Sequence, residues 1–158
     1  MMLAYRLVRL IETHSTQLSE GLLEKLHNCE KCRDYRTRVP SDDFRAAVFE
    51  IYNHLGEWLL GKSEGDIERR YVQIGMRRAQ QGVLLSELMY AIVLTREHLW
   101  DFLKKEDTME RPVEVFGELE MLQMLEGFFD KAIYYAAVGY EKAGADEKVK
   151  NHELAHTK

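Results

Sequence analysis

The stretch Ser63 to Gly82, SEGDIERRYVQIGMRRAQQG, carries the clearest helix signals in the chain. Ser63 followed three residues later by Asp66 has the form of a capping box, which opens a helix by satisfying its first amides. Ile67, Tyr71, Ile74 and Arg78 then recur at helical spacing, and Gly82 supplies the residue that most easily takes a left-handed helix stop. The segment is therefore an amphipathic helix, with one anomaly. Arg78, a permanent cation, falls on the stripe that the periodicity assigns to the core.

The same helical period extends in both directions. Leu3, Leu7, Leu10, Ile11, His14, Leu18, Leu22 and Leu26 form one stripe, predicting a first helix of about 25 residues with His14 inside its apolar face. After the polar connection HNCEKCRDYRTRVP, Ser41 is placed to cap a second helix carrying Phe44, Val48, Ile51, Leu55, Trp58 and Leu59, with Gly61 suited to a left-handed stop. The last two helices, 84–103 and 113–140, are apolar on two sides. Leu85, Leu88, Ile92, Leu99 and Leu103 line one face of the first, and Leu84, Met89, Val93, Trp100 and Phe102 line another. In the second, Phe116, Leu119, Leu122, Phe129, Ile133 and Ala136 form one face and Met121, Met124, Phe128, Tyr135 and Val138 the other. With two prolines and almost no alternating pattern, the chain reads as all-α with about five main helices.

A helix apolar on two sides must be covered on two sides. The cover is either the chain's own neighbouring helices or a second copy, whose last two helices would complete a dimeric four-helix bundle. The dimer is the preferred expectation, with Trp100, Met121, Met124, Phe128 and Tyr135 at the interface. Residues 1–143 are expected to form one domain, and 144–158, small and charged, a flexible tail or the start of a connector.

Charge and composition exclude several classes. Twenty-two Lys and Arg against 27 Asp and Glu give a net charge of −5, without a basic run to follow a phosphate backbone, so nucleic acid is not an expected partner. Apolar runs fall far short of the roughly 18 residues of a membrane span, and the N-terminus becomes charged too early for a secretory signal, so a cytoplasmic location is expected. Two cysteines in that compartment normally remain thiols, so no disulfide framework is implied. There is no phosphate-binding glycine loop, nucleophile elbow, His-x-x-x-His pair or Glu-x-x-His repeat, so no enzyme is expected.

Two stretches carry a resemblance to a known family. LGEWLLGKSEGDIERRYVQIGMRRAQQGVLLSELMYAIVLTREHLWDFL, Leu55 to Leu103, and FFDKAIYYAAVGYE, Phe128 to Glu141, resemble the N-terminal sensory domain of the RsbR-type co-antagonists of bacterial stressosomes, most specifically in GEWLLGKSE and in the run Gly82 to Glu87. Where that family often has proline, this chain has Leu84. The resemblance implies a globin-like fold, dimerisation through the last two helices, no haem, and a role as sensor or scaffold ahead of a downstream signalling domain or protein. More distantly, haem-binding globin-coupled sensors carry Ile-Gly-x-x-His followed by Gly and an aliphatic residue. Ile74, Gly75, Gly82 and Val83 match, and the iron-binding histidine falls on Arg78. A guanidinium has no lone pair for iron, so the expected cofactor is none.

Candidate sites follow from this. Arg78, with Ile74, Tyr71, His14 and His98, outlines a candidate pocket for a small anionic or apolar ligand. Arg78 would otherwise snorkel to water or pair with a carboxylate such as Glu97. His14 or His98 could supply a replacement iron ligand in an alternative, haem-binding reading. His54 sits at the edge of its apolar face, and His152 and His156 belong to the tail. His27, Cys29 and Cys32 are the only compact soft-ligand cluster, the basis of a second alternative, a redox or metal switch. They are short of the four ligands of structural zinc, and Cys29 falls near a helix end, where the dipole does not favour a thiolate. The expected function is a non-enzymatic, homodimeric signalling module that transmits partner or ligand binding through helix packing.

Overall fold

In the computed structural model, residues 4–106 and 112–156 are described, with no side-chain description for 4–5, 112–118 and 156. Among the described residues the chain is all-α, without a strand: α1 Ala4–Thr13, α2 Ser15–His27, α3 Arg33–Arg38, α4 Ser41–Asn53, α5 Glu64–Gln80, α6 Leu85–Lys105 and α7 Pro112–His156. Five long helices were expected, and the difference lies at two places. The first expected helix bends at His14 (φ −100°, ψ 17°), where the ring Nδ1 lies 2.8 Å from the Leu10 carbonyl. Backbone bonds from His14 to Leu10 and from Leu18 to His14 continue across the bend, so α1 and α2 share one apolar stripe. The connection after α2 contains a single 3-10 turn, Glu30–Cys32, and the short α3, neither of which has an apolar period long enough to announce it.

Both ends of α5 are capped as expected. Ser63 accepts from the Asp66 amide at 3.2 Å while Asp66 accepts from the Ser63 amide at 2.9 Å, the expected capping box. Gly82, the only described residue with positive φ (80°), ends α5 in a Schellman motif: its own N–H donates to Ala79 and that of Val83 to Arg78. Two expected caps are corrected. Ser41 makes no side-chain cap. Pro40 occupies the N-cap position and its carbonyl accepts from Asp43 and Phe44, with Asp42 and Asp43 favoured by the helix dipole in the first turn. Gly61 is not left-handed: the segment after α4 ends in a π-turn, Glu57–Gly61, closed by the Lys62 amide on the Glu57 carbonyl at 2.7 Å.

The main packing event is the crossing of α5 and α7. A Cβ on Gly75 would overlap the Ala136 carbonyl oxygen and lie 2.9 Å from the Tyr140 nitrogen, and one on Gly139 would lie 2.8 Å from the Val72 Cα. Backbone therefore meets backbone at this point, which only glycine permits. Trp58, Tyr71, Phe128 and Phe129 fill the space beside the crossing, with ring centroids 5.3–6.3 Å apart. On the other side α2 packs on α4 and α6, and the buried Tyr52 hydroxyl ties α4 to α6 by donating to the Thr95 carbonyl at 3.0 Å.

Candidate functional site

The Schellman motif of α5 sets the geometry of the site. It leaves Arg78 one turn from the helix end, where its carbonyl accepts the Val83 amide and its cation is favoured by the C-terminal dipole. The side chain does not snorkel. Arg78 is 3% exposed, its Nε donates to the Tyr35 hydroxyl at 3.0 Å, and its Nη1 donates to the Gln81 Oε1 at 3.0 Å. The guanidinium also lies over the Tyr35 ring, 5.7 Å from the centroid. Among the described residues it makes no salt bridge, and Glu97, the expected partner, is exposed on α6. Burying a cation without a counter-ion is unfavourable. Here the helix dipole, the two neutral acceptors and the ring face offset it. Gln81 passes the chain of bonds on to Asp43, which Arg77 also engages at 2.7 Å. Burial raises the Tyr35 phenol above its ordinary value, while Arg78 opposes the shift by charge and by its hydrogen bond.

The buried carboxylate of this junction is Glu87. Its two oxygens accept the Asp34 and Tyr35 amides, each at 3.1 Å, so α6 supplies the N-terminal cap of α3. That cap fixes Tyr35, and Tyr35 fixes Arg78. On the far side, the Tyr140 hydroxyl of α7 donates to the Val83 carbonyl at 2.6 Å. Tyr35, Gln81, Glu87 and Tyr140 were not singled out from the sequence. Glu87, an acid in a first helical turn, was the one with a visible signal, but an acid there is ordinarily explained by the helix dipole alone.

The remaining candidates fall elsewhere. Tyr71 shares the buried face of α5 with Arg78 but packs on Trp58 and Phe128, and Ile74 is only half-buried, because Gly75 makes the close approach to α7. His14 and His98 sit a turn apart on the seam between α2 and α6: His14 packs on the Phe102 ring and His98 Nε2 donates to the Leu18 carbonyl at 3.0 Å. Neither is hydrogen-bonded to Arg78. Burial first, and Lys25 second, hold the His98 pKa below 6.5.

His27 is exposed, Cys29 is half-buried and Cys32 is fully buried. Among the described residues no group of three or more His, Cys, Asp or Glu is placed to hold a metal ion. Of the expected interface residues, Met121 and Phe128 belong to the chain's own core, at 0% and 3% exposure. Met124 and Tyr135 share the flank of α7 from which the Tyr135 hydroxyl and Lys131 reach Glu64 on α5. Trp100 lies on the seam of α6 and α7, its Nε1 donating to Glu126 at 2.7 Å.

The central pair of the junction is a buried guanidinium and a phenol. No helix among the described residues is long and apolar enough to cross a membrane. Against known families, residues 29–151 match the model of the RsbT co-antagonist protein rsbRD N-terminal domain, a span that begins at Cys29 and takes in α3 to α6 and most of α7. No curated protein and no solved structure matches the chain.

Proposed function

The chain belongs to the RsbT co-antagonist rsbRD N-terminal domain family, and from that premise we propose that it is a haem-free, non-enzymatic sensory or scaffold module of a cytoplasmic stressosome, working as a homodimer. A signal, either a partner or a small ligand meeting the junction of α3, α5 and α6, shifts the packing of α5 on α7, and α7 carries the shift to a downstream domain or protein. One observation carries this reading. Tyr140 bonds to the cap of the helix that holds Arg78, and it does so from α7, which runs on as one helix to His156. A displacement at Arg78 therefore has a direct mechanical route into α7.

The face left for a second copy lies along α6 and α7. Leu119 is 55% exposed, Leu85 is exposed, and Leu122, Trp100 and Met89 are half-buried. These are apolar groups on adjacent helices, with Arg96, Glu126 and Asp130 forming an ion-paired group on the same two helices. Light scattering of the wild-type chain is expected to give twice the monomer mass, and Leu119→Glu to give a monomer with unchanged circular dichroism. A wild-type chain that stays monomeric at high micromolar concentration would refute the proposal.

A further inference from the structure

Cys29 and Cys32 are brought together by the 3-10 turn. Residues i and i+3 of such a turn lie over one another, and the Cys32 amide closes it on the Cys29 carbonyl at 3.2 Å. A turn closed this way holds its end Cα atoms within about 7 Å, inside the upper range of disulfide geometry. Cys29 is also close enough to Cys32 to raise its thiol pKa. Their exposures differ: Cys29 is half-buried and reachable from solvent, whereas Cys32 is fully buried. Cys32 also occupies the N-cap position of α3, directly ahead of the amides that Glu87 caps and three residues before Tyr35.

We propose that Cys29 and Cys32 are a reversible oxidation site, at which a hydroperoxide converts the dithiol to an intrachain disulfide that stiffens the start of α3 and so the seat of Arg78. The entry point is Cys29. Its thiolate attacks a peroxide oxygen, the O–O bond breaks, water or an alcohol leaves, and Cys29 becomes a sulfenic acid. The Cys32 sulfur then attacks the Cys29 sulfur. The S–S bond forms, the S–O bond breaks, and the hydroxyl leaves as water with the Cys32 proton. Two electrons have passed from the thiol pair to the peroxide.

The environment of Cys32 sets the character of the switch. Burial, the Cys29 hydrogen bond and the charges of Cys29 and Glu87 push its thiol up to about 12, with Arg36 opposing. Burial and the Glu87 charge remain when Cys29 is oxidised, and both disfavour the Cys32 thiolate, so the second step is the slower one. This goes beyond the dimer reading and does not depend on it.

The test uses the full chain treated with hydrogen peroxide, then alkylated and weighed intact. Wild type is expected to lose about 2 Da and both alkylation sites, the loss reversed by dithiothreitol. Cys32→Ser, which cannot resolve, is expected to accumulate a dimedone-reactive Cys29, and Cys29→Ser to stay unoxidised. Amide exchange of residues 33–38 is expected to slow in the oxidised wild type. Two alkylatable thiols in wild type, under conditions that oxidise Cys29 in Cys32→Ser, would overturn the site. Should Cys32→Ser fail to fold, wild type that keeps both thiols at peroxide levels oxidising its methionines would overturn it equally. Unchanged exchange at 33–38 would overturn the coupling to α3.

Discussion

Replacing Gly75 with alanine tests the α5–α7 crossing through which the proposed signal passes. The added methyl would lie 2.9 Å from both the Ala136 carbonyl carbon and the Tyr140 nitrogen and closer still to the Ala136 oxygen. Carbon contacts relax at about 3.5–4.0 Å, so one helix must retreat by roughly 1 Å along a backbone that cannot rotate away. Overpacking of this kind costs about 1–3 kcal/mol, at the upper end where the obstacle is main chain. Alanine in a helix recovers up to about 1 kcal/mol over glycine. The net expectation is a loss of about 2 kcal/mol, or roughly 4–8 °C in Tm for a chain of this length. Gly144→Ala is the control. It lies in the same helix as Gly139, nothing stands within 4 Å of its new methyl, and the propensity term alone should raise Tm by about 2–4 °C. Gly139→Ala should resemble Gly75→Ala, and the double variant should cost less than the sum, because helices once separated accommodate both methyls. Urea and thermal unfolding followed by circular dichroism at one fixed protein concentration give the answer. Gly75→Ala at least as stable as wild type, with Gly144→Ala behaving as stated, would show that the crossing is not tight and would remove the mechanical route.

Three other outcomes are expected. Glu87→Gln keeps one acceptor oxygen for two amides and loses the charge, which should cost about 1–2 kcal/mol in urea unfolding and speed amide exchange at Asp34 and Tyr35; unchanged exchange there would remove the cap from the argument. Arg78→Ala should cost about 3 kcal/mol from lost packing and an unpartnered Tyr35 hydroxyl, and Arg78→Ala in a Tyr35→Phe background should cost clearly less; equal costs would deny the contact. The folded state lowers the His98 pKa below 6.5, so the unfolded chain takes up that proton first. This contribution to stability is whole above about pH 6.5 and falls as pH drops below it, and His98→Gln should flatten the slope between about pH 7 and 5.5; an unaltered slope would assign it to other groups.

Helix identity was legible in the sequence wherever an apolar period ran for three turns or more, and helix ends were legible where a residue type is specific to them, as with the Ser63 cap and the left-handed Gly82. Boundaries set by backbone geometry were not. The bend at His14 leaves the apolar stripe unbroken, so nothing in the residue pattern marks it. The π-turn before Ser63 ends the preceding helix without using the left-handed freedom of Gly61. Register alone placed Arg78 on a buried face. Its partners could not be read, because Tyr35 comes from a six-residue helix without a period and is held in place by Glu87, 52 residues away along the chain.

The two-sided apolarity of α7 shows the limit most clearly. Periodicity states that a face is covered and is silent on what covers it. Met121, Leu125, Phe128, Ala132 and Ala136 form one line on α7 that is buried within the chain, and at its Ala136 end α5 comes into backbone contact through Gly75 and Gly139. Gly75 was visible in the sequence as part of a motif next to Arg78, yet its physical meaning is the absence of a side chain where another backbone must fit. The same absence draws Tyr140 within reach of Val83. What remains for a partner copy is the flank of α7 beyond this contact, where Leu119 and Leu122 lie beside Trp100 of α6. A charge at Leu119 therefore probes association, whereas a charge at Phe128 probes folding.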